Sequence, residues 1–272
     1  MAALAAFSVN FLAVSIPGRL DGQVAEAMQN ADMGRGSDAR DVLLPALGKS
    51  YITPAGWAFV IWAPIYLGEI IMTLIIVFLK FNGPAGDIVR AFLPCWVSAN
   101  LFQSMWCYAF RPIFHTDSAK ESLGPFVSAL FLGLTALSLA KVHIVTSKKS
   151  SSCSLMKQAM FVPLTMHFGW TTAATLVNIS GALANYSDTD TGSAANLFSL
   201  ACASILAALM ACVAMAGKTR SPTYAFVIGW ALLAVSDGMN ARMKTSTDVE
   251  VLAHARSIHI LSYLASIASI FV

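Results

Sequence analysis

The side chains able to do chemistry in this chain are few, and they recur at helical spacing inside apolar runs. Trp62, Tyr66, Glu69 and Thr73 fall at i, i+4, i+7 and i+11, so one helix face carries all four. Asn100, Gln103 and Trp106 repeat at i, i+3 and i+6, and Pro163, His167, Trp170, Ala174 and Asn178 make a third stripe. Indole faces beside amide heads suit a flat, partly polar organic ligand, because rings stack on it while amides orient its edge. Glu69 is the sharpest signal, since an ionisable group inside an apolar run marks a functional site or a proton carrier by default. Trp57, five residues before Trp62, points about 140° away at 100° per residue and fits an interfacial anchor or a cavity rim. Each residue also has a packing reading: Asn and Gln bond across membrane helices for stability alone, and a deep Trp fills volume. Three stripes with a carboxyl among them favour a lined cavity.

Other chemistries find no support in the sequence. There is no nucleophile–base pair, phosphate loop or HExxH, so neither a catalytic residue nor a metal ligand is assigned. Cys95, Cys107, Cys153, Cys202 and Cys212 form no CxxC pair, and four of them lie in apolar runs, as small packing residues do. His143, near a helix end, reads as an interface residue. The run SDTDTGS at 187–193 reads as a solvated loop.

The elements that must position the stripes follow from composition. Of 272 residues 57% are hydrophobic and 11% charged, against about 25% charged in soluble domains. With 17 basic and 14 acidic residues, the balance is too even for nucleic acid. Apolar runs give eight expected helices, at 1–17, 54–80, 91–112, 122–146, 157–184, 195–217, 221–240 and 255–272. The first lacks the basic n-region of a signal peptide and reads as a thin span. Thr53-Pro54 is a helix start, with a capping hydroxyl and proline at the first position, and Pro64 is expected to kink the second helix. The long link 18–53, rich in Gly, Asp and Arg, cannot lie in hydrocarbon, whereas short links elsewhere make consecutive helices neighbours. An even helix count puts both termini on one side and 18–53 on the other. The terminal side receives Lys80, Arg90, Lys141, Lys148, Lys149, Lys157, Lys218 and Arg220 against Asp87 alone, and is read as cytoplasmic or its organellar equivalent.

Three segments then resemble the tryptophan-rich sensory protein family (TspO/MBR), which includes the translocator protein or peripheral benzodiazepine receptor. TPAGWAFVIWAPIYLG (53–68) is similar to the family's Pro-Pro-x-Trp segment followed by Trp-x-x-x-Tyr, here Trp62 and Tyr66. ANLFQSMWCYAFRPIF (99–114) resembles its third-helix segment, and VPLTMHFGWTTAATLVN (162–178) its fifth, with Trp170 and Asn178 eight residues apart. The chain departs from the short family members in three places. Trp57 and Trp62 are five apart instead of six, Gln103 stands where a tryptophan is usual, and Ala55 replaces the second proline.

The resemblance implies an all-α, polytopic transmembrane bundle. It has a five-helix core at 1–187, with the long first loop 18–53 as a lid, and a C-terminal transmembrane extension of about three helices at 188–272. It implies a cavity for porphyrins, sterols and benzodiazepine-type ligands, with no obligatory cofactor and porphyrin or haem as ligands. Trp62 and Trp170 would stack on the ligand, Tyr66, Asn100, Gln103 and Asn178 would orient its polar edge, and His167 or Glu69 would meet a metal or a propionate. Trp57, Trp106 and Ala174 complete the expected ligand-binding set. The expected partners are membrane lipid and one hydrophobic small molecule, and a homodimer is an assembly the family allows. Family members are also credited with porphyrin breakdown, sensing and transport. The membrane is that of a bacterial inner membrane, a mitochondrion or a plastid. Two rival functions stand beside binding: a proton-coupled transporter using Glu69 and Asp237, for which no convincing inverted repeat exists, and a structural subunit of a larger membrane complex.

Overall fold

The computed structural model describes residues 2–15, 50–78, 83–110, 123–149, 155–186, 193–219 and 221–272, and among these the regular structure is entirely helical. In chain order the helices are α1 (Ala2–Ser15), α2 (Trp62–Phe78), α3 (Gly83–Ala109), α4 (Gly124–Lys149), α5 (Leu155–Tyr186), α6 (Ser193–Thr219), α7 (Pro222–Thr245) and α8 (Val249–Ile270). The first loop expected to act as a lid lies mostly outside the described residues.

The helices are turned as a bilayer requires, polar stripe inward and aliphatic face outward. On α2, Tyr66, Glu69 and Thr73 are buried, while Leu67, Ile71, Leu74 and Phe78 are exposed at i, i+4, i+7 and i+11. On α6, Ala201, Ser204, Ile205, Ala208 and Cys212 are buried and Leu206, Met210 and Val213 exposed. Water would penalise those exposed faces and lipid does not. The stretches 56–78, 124–147, 194–215, 222–245 and 249–270 are long and apolar enough to cross a membrane. The chain is a multi-pass integral membrane protein. Of the other helices, α1 has 14 residues and reaches only about 21 Å, less than the ~30 Å hydrocarbon core. By contrast α3 and α5 have 27 and 32 residues, with inward Asn, Gln, His and Thr diluting their hydropathy.

The second expected helix starts differently from its sequence reading. Gly56–Ile61 is a 3-10 turn, and α-helical geometry begins only at Trp62. Pro64 therefore sits in the first turn of α2, where a missing N–H has no intrahelical carbonyl to lose.

Packing is only partly by sequential neighbours, since α5 also lies on α7 and α6 on α8. α3 lies on α4, α4 on α5, and α7 on α8, but α2 packs chiefly on α5, and α1 folds back on α3 and touches α2. Backbones come very close at the α2–α5 crossing, where a methyl group on Gly68 would overlap the ring of Pro163. α7 is the most enclosed of the five apolar spans, with 61% of its central window buried against 28–39% for the other four. It is capped by Ser221 with Pro222 next, and α8 is capped by Asp248, whose carboxylate accepts from the N–H groups of Glu250 and Val251.

α7 also grips the segment that leads into α2. The Ala55 N–H donates to Ala234 O at 2.8 Å, and the Trp230 indole donates to Ala58 O at 3.1 Å. The Trp57 indole donates to Asp237 Oδ2 at 2.8 Å, and Arg242 donates to Ser50 O at 3.0 Å. Gly238 lies directly beneath Thr53, Pro54 and Ala55, and a Cβ there would strike the Thr53 carbonyl. Glycine is required by this close approach of two backbones.

Candidate ligand-binding site

Two adjoining regions hold the residues singled out by spacing. The first is a buried polar cluster between α1, α2, α3 and α5. Glu69 Oε1 and His167 Nδ1 are hydrogen-bonded at 2.7 Å, with both side chains fully buried. Gln103 donates to the Tyr66 hydroxyl at 3.1 Å, while Asn10 donates to Asn100 Oδ1 at 2.9 Å and Gln103 Oε1 at 3.1 Å. Glu69 Oε2, His167 Nε2 and Asn10 Oδ1 have no partner among the described residues. Phe7 and Phe11 of α1 close the cluster, Phe7 stacked on Trp96 at 5.8 Å and Phe11 edge-on to Tyr66 at 5.6 Å.

The second region is a cavity of about 220 Å³. Its near wall is Trp62 of α2, Trp106 of α3, Leu132 of α4 and Trp170, Ala174 and Asn178 of α5. The far wall belongs to α6 (Ser204, Ile205, Ala208) and α7 (Ile228, Ala231, Leu232, Val235), and Ile52, Pro54 and Phe59 roof it. The roof is the segment that α7 grips.

The amide and hydroxyl groups at this wall are already bonded. Asn178 Oδ1 accepts from the Trp106 indole at 3.2 Å and the Ser128 hydroxyl at 3.1 Å, and its Nδ2 donates to Ala174 O at 2.9 Å. Since an indole N–H can only donate and a carbonyl only accept, these partners fix which way the amide points. Ser204 donates to Leu200 O at 2.9 Å and pairs with Ser180 at 3.0 Å.

Trp62 joins the two regions. It lines the cavity, stacks on Tyr66 at 5.2 Å and 21°, and meets His167 edge-on at 5.5 Å. Trp62 and Trp170 stand at 84° to one another, so a flat molecule parallel to one ring is edge-on to the other.

The expected set is thus divided by the fold. Trp62, Trp106, Trp170, Ala174 and Asn178 line the cavity; Tyr66, Glu69, Asn100, Gln103 and His167 form the polar cluster beside it. Trp57 belongs to neither: it is 39% exposed, bonded to Asp237 and edge-on to Trp230 at 4.8 Å. Asp237, paired with Glu69 in the transporter reading, is exposed at that outer contact and takes no part in the buried cluster. Sequence reasoning missed Asn10, although a lone amide in a short apolar helix was a usable signal. It also missed the α6–α7 wall, whose alanines and aliphatics carry no such signal.

The family model described as TSPO-like protein matches residues 1–270. The match therefore takes in α6, α7 and α8 together with the five preceding helices. No curated protein and no solved structure matches the chain.

Proposed function

Because the chain belongs to the TSPO-like family, we propose that it is a membrane-embedded binding protein for a flat, hydrophobic small molecule. The observation that carries the reading is the cavity itself, walled by Trp62, Trp106 and Trp170 and enclosed by helices from both halves of the chain. Tetrapyrroles and sterols are the ligand types the family resemblance supplies. Asn178, fixed by three bonds, is the one side-chain amide among the described wall residues, and the aromatic rings supply the contact area. Among the described residues the wall has no acid–base pair, and the reading is of a binder, with sensing or transport built on binding.

The buried Glu69–His167 pair gives a proton-coupled transporter its one specific support. In that reading the pair carries the proton and Trp62 relays its state to the cavity.

The test is titration of the purified protein with protoporphyrin IX and with cholesterol, followed by tryptophan fluorescence. A saturable change for either supports the reading, and Trp170→Leu should weaken that binding several-fold. A response that never saturates with either ligand overturns it. For the transporter reading, Glu69→Gln in liposomes should bind the same ligand yet lose pH-driven flux.

A further inference from the structure

The wall of the cavity limits what it can hold. No described lining residue carries a charge, and the side-chain amide and hydroxyl groups there already have protein partners. An ionised carboxylate entering would leave water and gain no cation, which is strongly unfavourable. Size is a second limit. A cavity of about 150 Å³ accepts benzene, and sites for drug-sized ligands begin near 300 Å³. At about 220 Å³ this one lies between them.

The space exists because small residues meet there. Ala173 and Ala174 of α5, Ala208 of α6 and Ala231 of α7 all line the cavity. Ala208 and Ala231 are 4% and 6% exposed, so any longer side chain at either would project into the space or displace a helix.

We infer that the cavity takes an uncharged, compact hydrocarbon-rich molecule of about two to three fused rings, and that Ala208 and Ala231 set its upper size. This rests on the reading that the cavity is the ligand site, and it selects against both the anionic tetrapyrroles and the four-ring sterols named above. The specificity lies in the C-terminal helices.

Anthracene and anthracene-2-carboxylate test the inference, because both accept tryptophan emission and differ by a single ionised carboxylate group. Full-length protein in nanodiscs is titrated with each, and energy transfer is read. Anthracene should give a saturable signal, and the carboxylate should bind at least about tenfold more weakly. Ala231→Phe and Ala208→Phe should each remove the saturable component while partition into lipid persists. Should a Phe variant not fold, Ala208→Ile fills part of the same space and should weaken anthracene several-fold. Equal binding of the two probes, or unchanged binding in the filled variants, overturns the inference. Saturable protoporphyrin IX binding without anthracene binding would also overturn it while leaving the binding-protein reading intact. Absence of saturable binding by anthracene, protoporphyrin IX and cholesterol alike would remove both.

Discussion

Glu69 of α2 and His167 of α5 meet at 2.7 Å with neither side chain exposed, 98 residues apart in sequence. Each is the other's one side-chain hydrogen-bond partner among the described residues, so the pair ties the two helices at the depth where water is absent. Removing one member leaves the other's buried nitrogen or oxygen unsatisfied, a penalty of about 1–3 kcal/mol. Glu69→Gln retains an acceptor for the imidazole N–H and should stay close to the parent in thermal stability. Glu69→Ala should be clearly destabilised, and adding His167→Ala should cost less than the two single effects together. A strictly additive double-mutant cycle would show that the contact contributes nothing.

The α2–α5 crossing gives a second expectation. Gly68 presses on Pro163, with the ideal Cβ position 2.6 Å from the Pro163 Cβ. Proline cannot swing away as a flexible side chain would, so Gly68→Ala should force the helices apart and destabilise by about 1–3 kcal/mol. Gly133, whose Cβ would sit 3.5 Å from Thr175, is the control, and Gly133→Ala should be tolerated. Detergent-solubilised melting of both variants decides it; equal melting would remove the argument.

Gly238 should affect ligand binding without touching the cavity. It lies under Thr53–Ala55, whose neighbours Ile52 and Phe59 roof the site. Gly238→Val should lift that roof and weaken binding of any cavity ligand, with the tryptophans of the wall unchanged. If the affinity of the variant equals the parent's, roof and binding are uncoupled.

Tyr51 supplies an alkaline signature. Burial pushes its phenol pKa above the usual value, partly offset by the Arg242 guanidinium lying 4.7 Å from the ring centroid. With the folded pKa raised above the unfolded value, its contribution is complete below about pH 10 and is lost as pH climbs through the folded pKa. Tyr51→Phe should therefore lose less stability than the parent between about pH 9 and about pH 11. Parallel pH–stability curves for the two proteins would contradict this.

Topology is open to labelling. Asp87 lies near the start of α3 and Thr247 joins α7 to α8, both exposed. In a cysteine-free background, Asp87→Cys and Thr247→Cys should react from opposite faces of sealed vesicles. Reaction from one face would mean that a helix between them does not cross.

The helices were legible because apolar runs and polar breaks are local properties, and the inward turn of Tyr66, Glu69 and Thr73 followed from their shared face. Helix type at the start of the second span was not, because 3-10 and α turns suit the same residues and differ here through contact with α7. The division between cavity and polar cluster was also hidden. His167 and Trp170 are three residues apart on one stripe, yet one bonds to Glu69 and the other lines the cavity. Spacing gives a face; it does not say which neighbour fills it. The alanines of α6 and α7 shape the site by what they lack, and an absent side chain leaves no mark in a hydropathy pattern.

The grip of α7 on residues 53–58 sets a clock for biogenesis. Trp57 and Asp237 stand 180 residues apart, and the Ala55–Ala234 bond spans nearly as far. At a synthesis rate of about 5–20 residues per second, roughly 10–35 s pass between the appearance of the two partners. Throughout that interval the strand into α2 has been made, but the helix that holds its backbone has not. The nascent protein must carry its cavity half-built, roof unpinned and far wall missing, until its last helices leave the ribosome.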